Sequence, residues 1–268
     1  MDPQREHYAR IHREYLGART AALCHRLYNL RWEERLFGLV PPLPEGARFL
    51  DPMCGSGDLA RAGAARYRTA IGSDLSPEML GAAPVSPSGN PARLVAADVR
   101  ALPFPEKRYD VVMIRGSLHH VQRDFRRALA EVSRVLRPGG FLVLSEPVDD
   151  HPLIRAIRAV VYRASPLFGP GERAFRTRDL VAALDEAGFQ VRQVKPFGYA
   201  AYALIGNTDV LPLLRGLRSA SLIRGLIRLD EVMASIPVLR ALHFAVEVLA
   251  QRRTIPEGTP PRGRGGAA

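Results

Sequence analysis

Cysteine is scarce in this sequence. Among 268 residues only Cys24 and Cys54 are cysteines, and they lie far apart along the chain. Two such residues cannot form the disulfide framework of a small secreted domain or a four-ligand zinc site. We therefore expect reduced thiols, and the sequence predicts no metal site.

Long apolar runs and a targeting segment are missing as well. No apolar stretch approaches the roughly 18 residues that a membrane-spanning helix requires. The first residues lack the charged stretch, apolar stretch and cleavage site of a signal peptide. We therefore expect a soluble, cytoplasmic protein.

Lysine is scarce too, since Lys107 and Lys195 are the only lysines in the chain. The net charge of +11 is consequently carried by arginine. The arginines are scattered singly along a chain rich in Ala, Gly, Pro and Leu, which favours a dispersed, solvated surface. We expect no specific nucleic-acid site, and only weak RNA binding that falls steeply with salt.

Length and composition favour one large core. With 268 residues, 47% of them hydrophobic, the chain can bury one α/β domain with additions. Residues 4–37 have a helical pattern with Leu23, Leu27 and Leu30 on one stripe, and a proline-rich segment closes it. We predict an N-terminal helical cap over residues 1–47.

A glycine-rich turn follows this cap. The stretch RFLDPMCGSGDLA, residues 48–60, is a short apolar strand ending at Asp51, then a turn, then a helix start. Gly55 and Gly57 lack Cβ atoms, so the backbone can adopt positive φ and come close to a ligand, to which free helix N–H groups point. Asp51 can accept hydrogen bonds from a cationic ligand. The stretch predicts a strand–turn–helix binding site.

The same turn also fits the dinucleotide pattern G-x-G-x-x-G/A from Gly55 to Ala60, with Asp74 about 20 residues further on. In a dehydrogenase the first glycine follows the strand almost directly, whereas here residues 51–54 intervene. Asp51 would also lie unfavourably near a pyrophosphate. These features favour a ligand that has an ammonium group.

The spelling DPMCGSG resembles the first motif, D-x-G-x-G-x-G, of class I methyltransferases that depend on S-adenosylmethionine (SAM). Met53 stands in place of the usual first glycine. The resemblance is to the small-molecule branch, methyltransferase type 11-like, although DPMCGSG is also familiar from a branch that methylates RNA. It implies a Rossmann-like, doubly wound, mostly parallel seven-stranded sheet and SAM as the cofactor.

Further strand signals continue this pattern. Two strands are predicted to end at Asp74 and near Asp98, and the apolar run Val111–Ile114 is typical of a buried parallel strand. An amphipathic helix stopped by Pro-Gly-Gly at 138–140 precedes a fifth strand from Phe141. This helix–PGG–strand passage is also found in the family.

The resemblance implies cofactor-binding roles at the strand ends. Asp74 would hold both ribose hydroxyls, with a turn-capping role as the alternative, and Asp98 with the Val99 backbone would hold the adenine edge. The predicted SAM-binding residues are Asp51, Met53, Gly55, Gly57, Asp74, Leu75, Met79, Asp98, Val99, Arg115 and Ser117.

Two stretches interrupt the predicted methyltransferase domain, which covers residues 48–253. Residues 148–174 and 199–241 are candidate lid segments, and the Pro/Gly-rich tail 254–268 is predicted to be disordered. The segment LHFAVEVLA between lid and tail alternates like a final antiparallel strand.

The second lid segment contains a strongly amphipathic helix that ends before Pro237. Its predicted stripe consists of Leu222, Leu226, Leu229 and Met233. This face can pack on the sheet, roof a hydrophobic pocket, pair with a second subunit in a homodimer, or lie on a bilayer surface.

Aromatic residues of the cap are candidates for the acceptor site. By the family resemblance, such helices cover the SAM and substrate pockets, so Tyr8, Tyr15, Tyr28 and Trp32 could line a substrate cavity. The alternative is that they pack the helices onto the sheet.

His119 and His120 follow the fourth strand at its carboxyl end, where α/β sheets bind their ligands. Neighbouring side chains of an extended chain point in opposite directions, so we expect one histidine to face the pocket. We favour His120 as a general base. The alternative is that both histidines line the pocket or satisfy backbone groups.

Three functions fit these patterns: methyl transfer to an O, N or C atom of a small apolar or aromatic acceptor, methylation of RNA or a nucleobase, and SAM binding without catalysis. The segment IRGSLHH lacks the N/D-P-P-Y/F motif that holds a flipped base. The retained acidic strand ends and glycines argue against loss of cofactor binding. We therefore predict a SAM-dependent methyltransferase with a small-molecule acceptor.

Overall fold

The computed structural model of this chain describes residues 22–81, 92–164, 173–206 and 212–254. Tyr8, Tyr15 and the predicted tail from residue 255 onward lie outside the described residues. None of the helices in the described part of the chain is long and apolar enough to span a bilayer.

A seven-stranded sheet forms the centre of the described chain, in the order β3-β2-β1-β4-β5-β7-β6. Its strands are β1 (Arg48–Asp51), β2 (Thr69–Asp74), β3 (Arg93–Ala96), β4 (Tyr109–Arg115), β5 (Leu136–Pro147), β6 (Phe189–Phe197) and β7 (Ala245–Arg252). The pairs from β3 to β5 are parallel, and β7 is antiparallel to β5 and β6. The predicted fold class, a doubly wound and mostly parallel sheet, is confirmed.

Helices flank the sheet on both faces. They are α1 (Leu23–Phe37), α2 (Asp58–Ala64), α3 (Pro77–Gly81), α4 (Phe125–Val135), α5 (Pro152–Ala164), α6 (Thr177–Glu186), α7 (Ala220–Ser235) and α8 (Pro237–Arg240). Short 3-10 helices cover Leu118–Val121 and Pro212–Gly216, and a π-helical turn covers Tyr202–Gly206.

Successive side chains of β4 point alternately into two apolar cores, one on each face of the sheet. Val112 and Ile114 point into one apolar cluster, which includes side chains of α4 and α6. Val111 and Met113 point into a second cluster with residues of α1 and α2. Because both faces of β4 are covered, its sequence is continuously apolar, as predicted for a buried parallel strand.

The buried face of α1 differs from the predicted stripe. Leu23 and Leu27 pack against the core partly buried, but Leu30 is 57% exposed, and the helix buries Cys24, Tyr28 and Leu36 more completely. These three positions are four and eight residues apart, so they lie on one side of the helix. Tyr28 packs against the second lid segment and Leu36 against the sheet, and α1 therefore joins the two.

The predicted stripe of α7 is only partly covered, with Leu226 packed against the core and Met233 half-buried. Leu222 and Leu229 are exposed, whereas Ile223 and Ile227 are buried. Asp230 decides which side of α7 faces inward, because it is buried and points at the backbone of residues 199–202.

The Asp230 carboxylate accepts three backbone hydrogen bonds from the π-helical region. Its oxygens lie 2.9 Å from the Tyr199 N–H, 2.6 Å from the Ala201 N–H and 3.2 Å from the Tyr202 N–H. Leaving these donors unpaired would cost free energy, so the bonds select the side of α7 that faces inward.

Candidate active site

The glycine turn is tied to the neighbouring strand. Cys54 N–H donates to the carbonyl of Ser73, and Gly55 N–H donates to Asp74 Oδ2 at 2.8 Å. Gly55 has φ +53° and Gly57 has φ +82°. The positive φ of Gly57 would strain any other residue, and a Cβ there would also press on the Leu94 side chain, with Cδ2 at 2.9 Å.

Asp51 lies at the tip of β1, almost completely buried. One of its oxygens accepts a hydrogen bond from Met53 N–H at 3.3 Å. Burial raises the pKa of Asp51 to about 7, although the nearby Arg115 guanidinium opposes the rise. A buried carboxyl group in this state favours a cationic ligand, which would stabilise its ionised form.

This pKa shift makes the stability of the ligand-free protein depend on pH. The pKa of Asp51 is 3.8 in the unfolded chain and about 7 in the folded protein. Between these values the folded state binds more protons, so the free energy of unfolding falls as pH rises through the window. The contribution of Asp51 has a limiting slope of about 1.4 kcal/mol per pH unit.

Urea denaturation at several pH values measures this effect. Asp51→Asn is expected to remove the contribution, since the amide does not titrate, while the control Asp58→Asn in the first turn of α2 retains it. An identical pH dependence in wild type and Asp51→Asn would contradict the prediction.

Asp74 lies at the tip of β2, and both of its oxygens contact backbone N–H groups. Oδ2 accepts from Gly55 and Oδ1 from Ser76, the latter at 2.9 Å. Burial raises its pKa, and these hydrogen bonds and the charge of His120 oppose the rise. Asp74 therefore has the predicted turn-capping contacts and lies close enough to His120 for their charges to interact.

The other predicted cofactor residues surround these tips. Half-buried Leu75 follows Asp74, Met53 packs against the first core cluster, and buried Met79 lies beside Gly55. Val99 is buried next to Asp98.

The Asp98 carboxylate is occupied by Arg100. Its oxygens accept hydrogen bonds from the Arg100 backbone N–H, Nε–H and Nη2–H at 2.8 to 3.0 Å. Burial is the largest single effect and acts to raise its pKa, but the hydrogen bonds and charge of Arg100, together with the charge of Arg127, outweigh it and hold the pKa below its usual range. The adenine role of Asp98 stays a prediction, and the carboxylate would have to share its oxygens with Arg100.

The end of β4 places Arg115 and Ser117 beside the turn. Arg115 forms an ion pair of 2.8 Å with Glu33, and its guanidinium lies 5.5 Å from the centre of the Trp32 ring. Ser117 is buried, and its hydroxyl has no hydrogen-bond partner among the described residues. An orphaned buried hydroxyl at a strand end is a candidate ligand contact.

The geometry assumed for the two histidines is wrong. Residues Leu118–Val121 form a 3-10 helix rather than an extended segment, and the rings of His119 and His120 lie 4.2 Å apart, centre to centre. His119 is buried, whereas His120 is half-buried. The two side chains therefore lie together instead of on opposite sides.

Glu146, at the carboxyl end of β5, holds this turn and was missed by the sequence reasoning. It is 1% exposed, and it accepts backbone hydrogen bonds from Ser117 and Leu118 at 3.0 and 2.9 Å and from His119 at 3.3 Å. His119 Nδ1 lies 2.9 Å from the same carboxylate. An acidic residue at the end of an apolar strand is the signal that could have found it.

Aromatic rings also lie at the carboxyl ends of the parallel strands. The centres of the Trp32 and Phe197 rings lie 5.3 Å apart, those of Phe197 and Tyr202 lie 5.7 Å apart, and those of Tyr202 and Phe244 lie 6.2 Å apart. Trp32 Nε1–H donates to Ser145 Oγ at 3.0 Å, which fixes the indole at the end of β5. Trp32, Phe197, Tyr202 and Phe244, here called the aromatic cluster, thus flank the strand tips.

The sheet order, the antiparallel seventh strand and the glycine turn after a buried acidic strand tip define an α/β enzyme of the class I methyltransferase type. The family model described as a methyltransferase domain matches residues 50–144. A SAM-dependent methyltransferase from Thermotoga maritima has the same fold, with a TM-score of 0.62 and 18% identity over 94% of this chain and 100% of that one.

Two curated relatives are more similar in sequence. Over 199 residues the chain is 33% identical to the demethylmenaquinone methyltransferase of Thermus thermophilus, which covers 65% of this chain and 88% of the relative. Over 168 residues it is 33% identical to the ubiquinone/menaquinone biosynthesis C-methyltransferase UbiE of Syntrophotalea carbinolica. This match covers 59% of this chain and 70% of the relative. The chain belongs to the SAM-dependent methyltransferase family, and it is an enzyme of that family.

Proposed function

We propose that this enzyme binds SAM at the carboxyl edge of the sheet and transfers the methyl group to a ring carbon of a reduced, lipid-soluble quinone. The observation that carries the proposal is the aromatic cluster, in which the half-buried rings of Trp32, Tyr202 and Phe244, packed with the buried Phe197, would offer flat apolar surface beside the tip of β4. The names of the two relatives support a quinone acceptor, and one of them names transfer to carbon. They disfavour the RNA and non-catalytic alternatives.

The residues at the strand tips fit SAM, which supplies a positively charged sulfonium methyl group when bound. Buried Asp51 would face the cationic part of the cofactor, whose charge would lower the raised pKa of this carboxyl group. Gly55 and Gly57 would bring the backbone close to it, and Asp74 would accept from the ribose hydroxyls. Ser117 would gain the partner that its hydroxyl lacks among the described residues.

The acceptor must be the reduced hydroquinone. An electrophilic methyl group needs an electron-rich carbon, and the ring carbon beside a hydroxyl becomes one when that hydroxyl loses its proton. We assign this proton to His120, the more accessible of the paired histidines. As the new carbon–carbon bond forms, the cofactor sulfur would keep the electron pair of its broken bond to the methyl group and become neutral. The methylated carbon then loses its own hydrogen as a proton, the ring becomes aromatic again, and the ring oxygen takes back the proton held by His120, so one proton is released overall.

His119 and Glu146 would position this base. The hydrogen bond between the His119 ring and a buried carboxylate, together with three backbone hydrogen bonds, fixes the 3-10 turn. A base oriented by a second group in this way is a recurring arrangement in enzymes. The aromatic cluster and the turn would together align the acceptor with the methyl group, which lowers the entropic barrier.

The test is an assay of the purified enzyme with SAM and a naphthohydroquinone that lacks the ring methyl group, under reducing conditions, with mass spectrometry and NMR of the product. We expect methylation on carbon with the reduced acceptor and none with the oxidised quinone. Calorimetry should show SAM binding and no NAD binding. SAM binding combined with transfer only to an amine or to RNA would overturn the proposed acceptor.

Asp74→Ala is expected to weaken SAM binding by roughly 1 to 3 kcal/mol, because the ribose hydroxyls lose a charged acceptor and the turn loses its cap. Isothermal titration calorimetry measures the change. Asp58→Ala is the matched control, since this carboxylate lies in the next helix and pairs with Arg61. Unchanged affinity in Asp74→Ala would make Asp74 a turn residue only.

A further inference from the structure

Large apolar side chains are exposed along one side of α7. Leu222, Leu229 and Val232 are 46 to 53% exposed. At 3.6 residues per turn they lie within an arc of about 80°, on the side away from the buried residues Ile223 and Ile227. Helix α7 therefore has two apolar faces, of which only one is covered by the described residues.

Helix α5 of the first lid segment has a similar exposed face. Leu153, Ile157 and Val160 are 40 to 66% exposed, and their spacing places them within about 60° of one another. The sequence of α5, PLIRAIRAVVYRA, contains no acidic residue, and of its three arginines Arg155 pairs with Asp149 at 3.7 Å and Arg158 donates to backbone carbonyls. Helix α5 therefore contributes an exposed apolar face, which is one feature of helices that lie in a membrane interface.

Both helices are hydrogen-bonded to the aromatic cluster at the carboxyl ends of the parallel strands. Arg158 of α5 donates a 2.7 Å hydrogen bond to the carbonyl of Phe244, a member of the aromatic cluster. Asp230 of α7 accepts the backbone N–H of Tyr202, another member. The exposed faces consequently belong to the two elements that lie next to the proposed acceptor site.

The exposed charges of α7 favour an anionic partner. Arg224 and Arg228 are exposed beside its apolar face and form no ion pair in the part of the chain that the structure describes. The two acidic residues of the helix are not available, because Asp230 is buried and Glu231 pairs with Arg31 at 2.6 Å. An apolar face beside unpaired arginines complements lipid chains beneath anionic headgroups.

We propose that the exposed faces of α5 and α7 dock on an anionic bilayer surface, from which the enzyme takes its acceptor. The acceptor part of this statement rests on the proposed function, since a lipid-soluble quinone is dissolved in the membrane. The docking part rests only on the exposed apolar side chains and the arginines.

The test is sedimentation of the full-length protein with phosphatidylcholine vesicles that contain or lack phosphatidylglycerol, without acceptor. We expect binding to the anionic vesicles that falls with added salt. The double variant Leu222→Glu/Leu229→Glu is expected to bind at least about tenfold more weakly, because it removes apolar contact and adds repulsion. Its SAM affinity should be unchanged, since these side chains lie on the surface.

The matched control is Gln190→Glu/Gln193→Glu, which adds the same charge on the outermost strand β6 and should retain binding. No binding of wild type to anionic vesicles, or equal losses in both double variants, would overturn the proposal. A wild-type dimer in analytical ultracentrifugation that the leucine variant abolishes, without vesicle binding, would instead assign the faces to a second copy. Vesicle binding without quinone methylation would contradict only the proposed acceptor.

Discussion

Replacing His120 with alanine is expected to lower the rate of methyl transfer by about 100-fold or more while SAM affinity is retained. The imidazole is half-buried in the turn after β4, and the proposed reaction requires a base for the acceptor hydroxyl. Single-turnover rates with the hydroquinone, measured beside calorimetric SAM affinities, separate the chemical step from cofactor binding.

His119→Ala is the matched control for this prediction. The His119 ring is tied to Glu146, so its loss should disturb the turn and change both stability and rate, whereas loss of His120 should change the rate alone. Small and equal losses in both variants would leave alignment of the acceptor as the whole mechanism.

Glu146→Ala is expected to lower the free energy of unfolding by about 3 kcal/mol or more, because three backbone donors and the His119 ring lose a buried acceptor. Each orphaned donor costs about 1 to 3 kcal/mol. Methyl transfer should fall as well, since the turn that holds His120 would lose its support. Urea denaturation and the same single-turnover assay measure the two effects.

Glu131→Ala provides a control with related chemistry. Glu131 also accepts a backbone hydrogen bond, from Leu102 at 2.8 Å, and pairs with Arg134, but its side chain is more exposed. Water can replace those bonds, so a smaller loss of stability is expected. Equal losses in the two variants would show that the buried network around Glu146 contributes nothing beyond an ordinary surface acceptor.

Local sequence determined the framework of the site. The apolar run of β4, the acidic end of β1 at Asp51 and the glycines at 55 and 57 can be read from short stretches of sequence, because a continuously apolar strand and a glycine-dependent turn are specified by consecutive residues. The turn, the strand ends and the fold class could therefore be predicted, and the structure places the predicted cofactor residues around the tips of β1, β2 and β4 and the segment after β3.

Only the tertiary structure decided which helix faces are buried and how the histidines are held. Helix α7 has apolar residues on several sides, so its periodicity cannot choose between Leu222 and Ile223, and the choice depends on Asp230 bonding a backbone about 30 residues earlier. Likewise, Glu146 reaches His119 from 27 residues away, across two neighbouring strands. Periodicity reports neighbours along the chain, whereas these polar contacts join segments that are adjacent only after the sheet has formed.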